Sequence, residues 1–166
     1  RLLVLALLLL VSSASLSLLS RWQIDLTQDK LYTLSQGTRN ILAGIDKPIV
    51  LELYYSESLS RDIPMLRNYA GRVQDILREY ERKSHGNITL KVINPEPFSE
   101  EEDAAAAGGL QGMPNGRGDK IYLGLIGSSA DHSEIIDVFN PQKENLLEYQ
   151  ISQLVYRLML PQQRIV

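Results

Sequence analysis

Side chains that could perform chemistry are few in this sequence and lie far apart along it. The 166 residues include no cysteine and only two histidines, His85 and His132, which fall in different predicted elements. Because thiol redox enzymes and thiolate metal sites both need cysteine, both are excluded. A histidine-based metal site would need further ligands at a recognisable spacing, and neither histidine has them. We therefore expect neither a metal nor another cofactor.

A serine hydrolase is the enzymatic alternative that the residue types leave open. Ser56, Ser58 and His132, together with Asp131, contain the groups of a Ser-His-Asp set. No nucleophile elbow of the G-x-S-x-G type and no phosphate-binding loop accompanies them. We therefore predict that the chain is not an enzyme and keep a hydrolase built on Ser56, Ser58 or His132 as an alternative.

Two further motifs have simple structural explanations. The Arg117-Gly118-Asp119 tripeptide matches the one that integrins bind, but such a match is expected by chance in a glycine-rich loop. The acidic run at 100–103 follows Ser99, which forms a capping-box pair with Glu102 at the start of a predicted helix. The helix dipole favours negative charge at that end, and consecutive side chains on a helix diverge, which disfavours a cation site.

The best-defined part of the fold is a strand, a long helix and a second strand. Residues 49–55 are mostly apolar, which is typical of a strand buried on both faces. Residues 88–92 alternate with period two and predict another strand. Between them lies a predicted helix that Gly86 ends, and its buried stripe is Leu66, Tyr69, Val73, Ile76, Leu77 and Tyr80. Such a unit indicates two parallel strands joined by a crossover.

Shorter predicted elements flank this unit. Ser35 is a good N-cap for a helix that closes near Gly44. Residues 120–126 and 133–139 predict a hairpin whose turn spans 127–132. The last helix is predicted from an apolar stripe at Leu147, Ile151, Leu154 and Leu158, with Leu146 and Val155 beside it. This order of elements predicts an α/β fold in which helices cover both faces of a mixed sheet.

The amino end is long and apolar enough to cross a membrane. Residues 2–19 carry no charge and would span about 27 Å as a helix, close to the ~30 Å of a bilayer core. Arg1 and Arg21 bracket this segment, and Trp22 stands where an interfacial aromatic residue belongs. We predict a transmembrane helix over 1–20, with Arg21 and Trp22 as interface anchors. A cleaved signal peptide is the alternative.

Charge and length limit the remaining possibilities. The net charge is −3 and no basic run is present, which argues against nucleic acid as a partner. Residues 21–161 have the ordinary length of one domain. Residues 162–166 end in Arg-Ile-Val and resemble the start of another strand, so we expect a further domain there.

The predicted order of elements is similar to that of thioredoxin-like folds. In such folds a cis-proline precedes the antiparallel hairpin, and Pro114 stands at that position ahead of Lys120. The resemblance therefore implies that Pro114 is a cis-proline. The redox pair of such folds would fall at about 55–62, where this sequence has serines and no cysteine.

A closer resemblance covers almost the whole stretch after the amino-terminal apolar segment. Several segments resemble GldG-family auxiliary subunits of bacterial ABC transporters, a family first associated with gliding motility. These segments are Asp25-Leu26-Thr27, residues 30–35, Tyr69 with Arg72-Val73, residues 94–103, Gly109-Leu110 and Leu147-Glu148-Tyr149. The resemblance implies an anchor in the bacterial inner membrane through residues 2–19 and a thioredoxin-like domain in the periplasm. Its implied partners are a separate permease and a cytoplasmic ATPase, and it supplies no catalytic motif.

A different class of function also fits these residues. The chain would then be a stand-alone envelope domain that binds a peptide, a glycan or a lipid in a cleft beside Pro114. That hypothesis predicts binding without a transporter partner, whereas the transporter hypothesis predicts a stable complex with a permease and an ATPase.

Overall fold

The described part of the chain has a mixed α/β fold. The computed structural model describes residues 33–130 and 132–160. In chain order the elements are α1 (Gln36–Ala43), β1 (Ile49–Tyr55), α2 (Pro64–Lys83), β2 (Ile88–Ile93), α3 (Glu100–Ala107), β3 (Met113–Pro114), β4 (Lys120–Ile121), β5 (Leu123–Ser129), β6 (His132–Ile136) and α4 (Leu147–Met159). Short 3-10 helices occupy Ser58–Ser60 and Pro141–Leu146. The predicted helix after Ser35 is confirmed, and the Ser35 hydroxyl caps it by accepting from the Thr38 N–H.

Four strands form the main sheet in the order β2-β1-β5-β6. β1 pairs in parallel with β2, from Ile49 opposite Ile88 to Tyr54 opposite Ile93. β5 is antiparallel to both β1 and β6. The parallel strand–helix–strand unit and the hairpin are therefore confirmed, and the sheet is mixed as predicted.

The second strand lies at an edge of the sheet. Two side chains near the end of α2 cover part of its free edge. The N–H of Ile88 donates to the Ser84 hydroxyl at 2.9 Å, and the N–H of Leu90 donates to the Glu81 carboxylate at 2.8 Å. An exposed edge with free N–H groups invites pairing with another chain, so these contacts protect the first half of β2.

The left-handed residue that ends α2 lies one position earlier than predicted. The helix stops at Lys83 with Ser84 as its cap, and the left-handed backbone begins at His85, with φ of 54°, before Gly86, with φ of 89°. The Ser84 hydroxyl donates to the Glu81 carbonyl at 2.7 Å. Side-chain bonding by a buried serine therefore ends the helix before the glycine is reached.

The predicted boundaries of the hairpin were also wrong. Residues 120–126 are not one strand, because β4 pairs with β3 in a separate ribbon and β5 begins only at Leu123. Gly127 was assigned to the turn but lies inside β5 beneath α4. A Cβ there would stand 2.6 Å from Leu154 Cδ2 and 2.7 Å from Leu158 Cδ1. This glycine therefore permits close helix packing and does not mark a turn.

Helices lie on both faces of the sheet. One face carries α4 over Gly127, and the Tyr80 hydroxyl of α2 donates to the Glu148 carbonyl of α4 at 3.0 Å. On the other face, Gly108 at the end of α3 sits directly against the Ile126 side chain. A small cluster under α3 contains Tyr54, Ala105, Leu110 and Tyr122. The predicted stripe of the last helix is buried, and so is Val155, but Leu146 is exposed.

A polar network joins α1 to α4 and α2. One carboxylate oxygen of Glu148 accepts from the Ser35 N–H at 2.7 Å and from the Thr38 hydroxyl at 2.5 Å. The Ser152 hydroxyl lies 2.9 Å from the Thr38 hydroxyl and 2.6 Å from that of Tyr80. The network therefore fixes the first described helix to the last described one.

Two pKa values reflect this arrangement. Burial would raise the pKa of Glu148, but the hydrogen bonds from Thr38 and Ser35 and the charge of Arg39 lower it below its ordinary value of 4.5. Burial raises the pKa of Tyr80 to about 12, although its hydrogen bonds with Ser152 and Thr38 act in the opposite direction. At neutral pH Glu148 is therefore an ionised acceptor, and Tyr80 is a neutral donor.

Replacing either of two glycines by alanine should change the stability in opposite directions. Gly127→Ala should lower the free energy of unfolding by about 1–3 kcal/mol, because its Cβ would meet two leucines of α4. Gly71→Ala, inside α2 with open space around it, should raise that free energy by about 0.5–1 kcal/mol. Denaturant unfolding measures both. A Gly127→Ala variant as stable as Gly71→Ala would contradict the close packing of β5 against α4.

Removing the charge of Glu148 should change the response to acid. A carboxyl group with a lowered pKa contributes stability above about pH 4.5, and that contribution is lost as the pH falls through the folded-state pKa. Glu148→Gln should therefore be less stable at pH 7 by about 1–2 kcal/mol and lose less stability between pH 7 and pH 3. Denaturant unfolding at both pH values tests this expectation. Glu144→Gln, which removes only an exposed ion pair with Arg72, is the control and should cost under about 1 kcal/mol.

Candidate functional site

A groove opens between the start of α3 and the ribbon of β3 and β4. Its volume is about 270 Å³. It is lined by Pro97, Phe98, Glu102, Asp103, Ala106, Gly118, Asp119, Lys120 and Tyr122. Two stretches that the sequence analysis considered separately, the acidic run and the Arg117-Gly118-Asp119 loop, therefore border the same groove. The groove also adjoins Pro114, which pairs with Lys120 across the ribbon.

Phe98 is the most exposed large apolar side chain in the described residues. It is 96% exposed and its backbone is left-handed, with φ of 63°. Its N–H donates to the Glu102 carboxylate at 2.7 Å, while the Glu102 N–H donates to the Ser99 hydroxyl at 3.2 Å. The predicted capping pair is confirmed, but its glutamate bonds to Phe98 and not to the N–H of Ser99. The cap and the preceding Pro97 hold an unfavourable backbone in place.

Tyr122 lies under the groove and is held from two sides. It exchanges two hydrogen bonds with Ser56: the Tyr122 N–H donates to the Ser56 hydroxyl, and the Ser56 N–H donates to the Tyr122 carbonyl, both at 3.0 Å. A Cβ at Gly112 would stand 3.0 Å from its ring. Burial, and then the charges of Glu102 and Asp103, raise the pKa of Tyr122 above 10.0. Its phenol is therefore neutral at physiological pH.

The loop opposite Phe98 is closed on itself by Asn115. The Asn115 side-chain oxygen accepts from the N–H groups of Arg117 and Asp119, both at 2.9 Å. Its side-chain nitrogen donates to the Asp119 carboxylate at 3.2 Å. The Arg117-Gly118-Asp119 tripeptide is thus part of an asparagine-stabilised turn, and one of its two charged groups helps to hold that turn.

The groove has an uneven charge. Three carboxylates line it, from Glu102, Asp103 and Asp119, against the single ammonium group of Lys120. Within residues 33–130 and 132–160, no set of three His, Cys, Asp or Glu side chains is placed to hold a metal ion. The arrangement instead offers an aromatic ring beside an acidic rim, which suits a partner with apolar and basic groups.

The peptide bond before Pro114 is trans, so the cis-proline prediction was wrong. Met113 and Pro114 pair with Ile121 and Lys120 in an extended ribbon, and Pro114 is exposed. The position against the end of β1 is taken by Tyr122, which bonds to Ser56. Pro114 therefore has the geometry of an edge-strand proline.

The residues of the hydrolase alternative are not brought together. Ser56 follows the last residue of β1, whereas His132 pairs with Ser129, which lies opposite Ile49 at the other end of that strand. At about 3.3 Å per residue the two side chains are roughly 20 Å apart. Ser56 is buried against Tyr122, and a ring nitrogen of His132 lies 3.1 Å from the Arg157 carbonyl.

Several predictions fall outside the described residues. They include the transmembrane helix over 1–20, the anchors Arg21 and Trp22, the further domain at 162–166, and Asp131. Among the helices that the structure does describe, none has the length and apolar character needed to span a bilayer.

Most of the described elements lie within the range of one protein-family model. A family model described as a domain of unknown function, DUF7088, matches residues 28–128, more than half of the chain. The chain belongs to the DUF7088 family. The DUF7088 match runs from before α1 into β5 and includes the whole groove, whereas α4 lies beyond it. No curated protein and no solved structure matches the chain.

Sequence reasoning missed the exposure of Phe98 within this DUF7088 region. The available signal was an aromatic residue placed between Pro97 and the helix cap Ser99, outside any apolar stripe. A residue so placed has no helix or strand face to bury it. Only the left-handed backbone and the bond to Glu102 showed that the ring is held in solvent.

Two single substitutions of Phe98, by glycine and by alanine, should separate the effect of backbone strain from that of side-chain packing. Phe98→Gly should raise the free energy of unfolding by up to about 1 kcal/mol, because glycine adopts φ of 63° without a Cβ clash and little packing is lost. Phe98→Ala, the matched control, keeps the strain and should gain nothing. Denaturant unfolding compares them, and an alanine variant more stable than the glycine variant would contradict the strained backbone.

Proposed function

We propose that this chain is a non-catalytic, membrane-anchored accessory subunit of a bacterial ABC-type transporter. It is anchored in the inner membrane through residues 2–19, its α/β domain lies in the periplasm, and it works with a separate permease and a cytoplasmic ATPase. The groove around Phe98 is its docking site for a protein partner of that complex. The proposal rests on the resemblance to GldG-family subunits and, for the docking site, on the exposure of Phe98.

The topology supports the finer, thioredoxin-like interpretation of the fold. From β1 onward, and leaving out the ribbon of β3 and β4, the order is strand, helix, strand, helix, strand, strand, helix. The closing pair is antiparallel, and the helices lie on both faces of the sheet. The position of a redox pair starts at Ser56, whose hydroxyl is buried and accepts from Tyr122. Such a domain is suited to binding and not to thiol exchange.

Segments that carry the GldG resemblance make structural contacts with one another or with the core. Ser35 bonds to Glu148 across 113 residues. The side chain of Asn94 accepts from the Glu57 N–H at 2.9 Å, and Leu110 packs in the cluster under α3. Because the resembling residues have such contacts, the similarity is of a kind that a shared fold would produce. This supports the proposed family relationship.

Phe98 is the single observation that carries the docking proposal. Its backbone is fixed by Pro97, by the cap of α3 and by the bond to Glu102, so binding would order little beyond the ring itself. Aromatic anchors that are already held in place dominate the binding energy of protein interfaces. Charged groups around the groove, from Glu102, Asp119 and Lys120, would form a polar rim.

Co-purification tests this function directly. Tagged full-length protein, extracted in mild detergent, should bring down a permease and an ATPase. Phe98→Gly should remain folded but recover at least about tenfold less permease and ATPase. The reason is that an interface anchor contributes more than about 1.4 kcal/mol to the free energy of binding. Met65→Ala, which removes an exposed apolar side chain far along the chain from the groove, is the control and should recover both partners.

Recovery of a single, monodisperse chain would overturn the transporter hypothesis. Equal recovery with Phe98→Gly and Met65→Ala would reject the groove as the docking site and leave the transporter assignment standing. The second candidate, a stand-alone envelope domain for a peptide, glycan or lipid, is favoured by the location of the groove beside Pro114. It predicts binding by the purified chain in the absence of any transporter protein.

A further inference from the structure

The ribbon of β3 and β4 has a free edge that borders the groove. Pro114 lies opposite Lys120 in this ribbon. Because proline has no N–H, this pair cannot exchange two backbone hydrogen bonds, and the ladder bonds fall on the flanking pairs instead. The N–H of Asn115, for example, donates to the Asp119 carbonyl at 2.9 Å. The N–H and C=O of Lys120 therefore point away from β3.

This free edge lies in line with the end of β1. Tyr122, two residues after Lys120, bonds to Ser56 through both its N–H and its C=O, at 3.0 Å each. A longer β1 would continue opposite Lys120 in the same register. The chain instead turns at Glu57, whose N–H donates to the Tyr55 carbonyl at 2.8 Å. In the described part of the chain, no group forms a hydrogen bond with the Lys120 N–H or C=O.

The free edge of Lys120 faces the side of the groove on which Phe98 lies. Lys120 and Phe98 both line this groove. Phe98 follows β2, and β2 is the neighbour of β1 on the side away from β5. A strand added at the free edge would therefore run between Lys120 and the exposed ring. In such strand addition the backbone bonds supply affinity, and alternate side chains supply specificity.

The charges of the groove define the side chains that fit it. Its carboxylates, from Glu102, Asp103 and Asp119, take part in none of the ion pairs between described residues. Every second side chain of an added strand would enter the groove. The one directly opposite Lys120 should be apolar, because like charges on facing residues repel, and it can pack on the Phe98 ring. Basic side chains two positions to either side would meet the carboxylates.

We propose that the groove binds an extended basic segment of a partner protein, which pairs with the backbone of Lys120 as a short added strand. Its central apolar side chain lies on Phe98, and a lysine or arginine stands two positions before and after it. This inference rests on the proposed docking site and defines the partner as an extended strand, in place of a helix or a folded surface. Only one donor and one acceptor are offered, so the paired segment is short.

Synthetic peptides test the charge pattern on the full chain in mild detergent. The probe is fluorescently labelled Arg-Thr-Leu-Thr-Arg with blocked ends, and fluorescence polarisation measures its binding, which should saturate below about 1 mM. A peptide with glutamate in place of both arginines should bind at least about tenfold more weakly. Failure of the basic peptide to saturate, or equal binding of the two peptides, would overturn the proposal.

N-methylated peptides test the backbone pairing. Methylation of the leucine nitrogen removes the N–H that donates to the Lys120 carbonyl and should weaken binding by about fivefold or more. The matched control is methylation of the threonine nitrogen that precedes the leucine, because that N–H points away from β4. It should change binding less than about twofold. Equal effects of the two methyl groups would rule out strand addition at Lys120.

Variants of the protein locate the site. Asp103→Asn should weaken the basic peptide by about threefold or more, because it removes a groove carboxylate. Asp75→Asn, an exposed aspartate on α2, is the control for the loss of one charge and should bind as the unmodified protein does. Equal affinities of these two variants would place the peptide outside the groove. Peptide binding needs no transporter protein, so its failure is distinguishable from a failure to recover the permease and the ATPase.

Discussion

The central strand β1 is the constraint on which the fold depends. It pairs in parallel with β2 on one side and antiparallel with β5 on the other, so its register fixes both neighbours. Its side chains also reach both layers, since Leu51 contributes to the core beneath α4 and Tyr54 to the cluster beneath α3. A one-residue slip would exchange these two sets of side chains between the faces. The register of β1 therefore decides which side chains α3 and α4 pack against.

A partly buried carboxylate performs a similar role for the helices. Glu148 accepts from the backbone of Ser35 and from the hydroxyl of Thr38, and the carbonyl of Glu148 accepts from Tyr80. Apolar packing brings three helices to one side of the sheet but leaves their relative rotation free. Directional bonds to a single residue remove that freedom. The hydrogen bonds that hold the first helix also offset the cost of burying the charge.

The groove combines two features that are seldom held together on a protein surface. Phe98 is almost fully exposed on a backbone fixed by the cap of α3, and carboxylates from Glu102, Asp103 and Asp119 line the groove around it. An exposed ring costs little to order on binding when its backbone is already fixed. The chemistry of the groove is therefore suited to a partner with apolar and basic groups.

Local patterns were enough to predict the four described helices and the parallel unit, because apolar spacing and the caps at Ser35 and Ser99 depend on neighbouring residues alone. They did not predict the ribbon of β3 and β4 or the bounds of the hairpin. The order of strands in the sheet was not predictable, since it is decided by contacts between residues distant in sequence. For the same reason Gly127 was assigned to a turn when α4 packs over it, and Pro114 was expected to be cis when it lies in a ribbon. The groove depended on tertiary structure most of all. Its ring, its acidic rim and its tyrosine come from three segments whose sequences contain no sign that they meet.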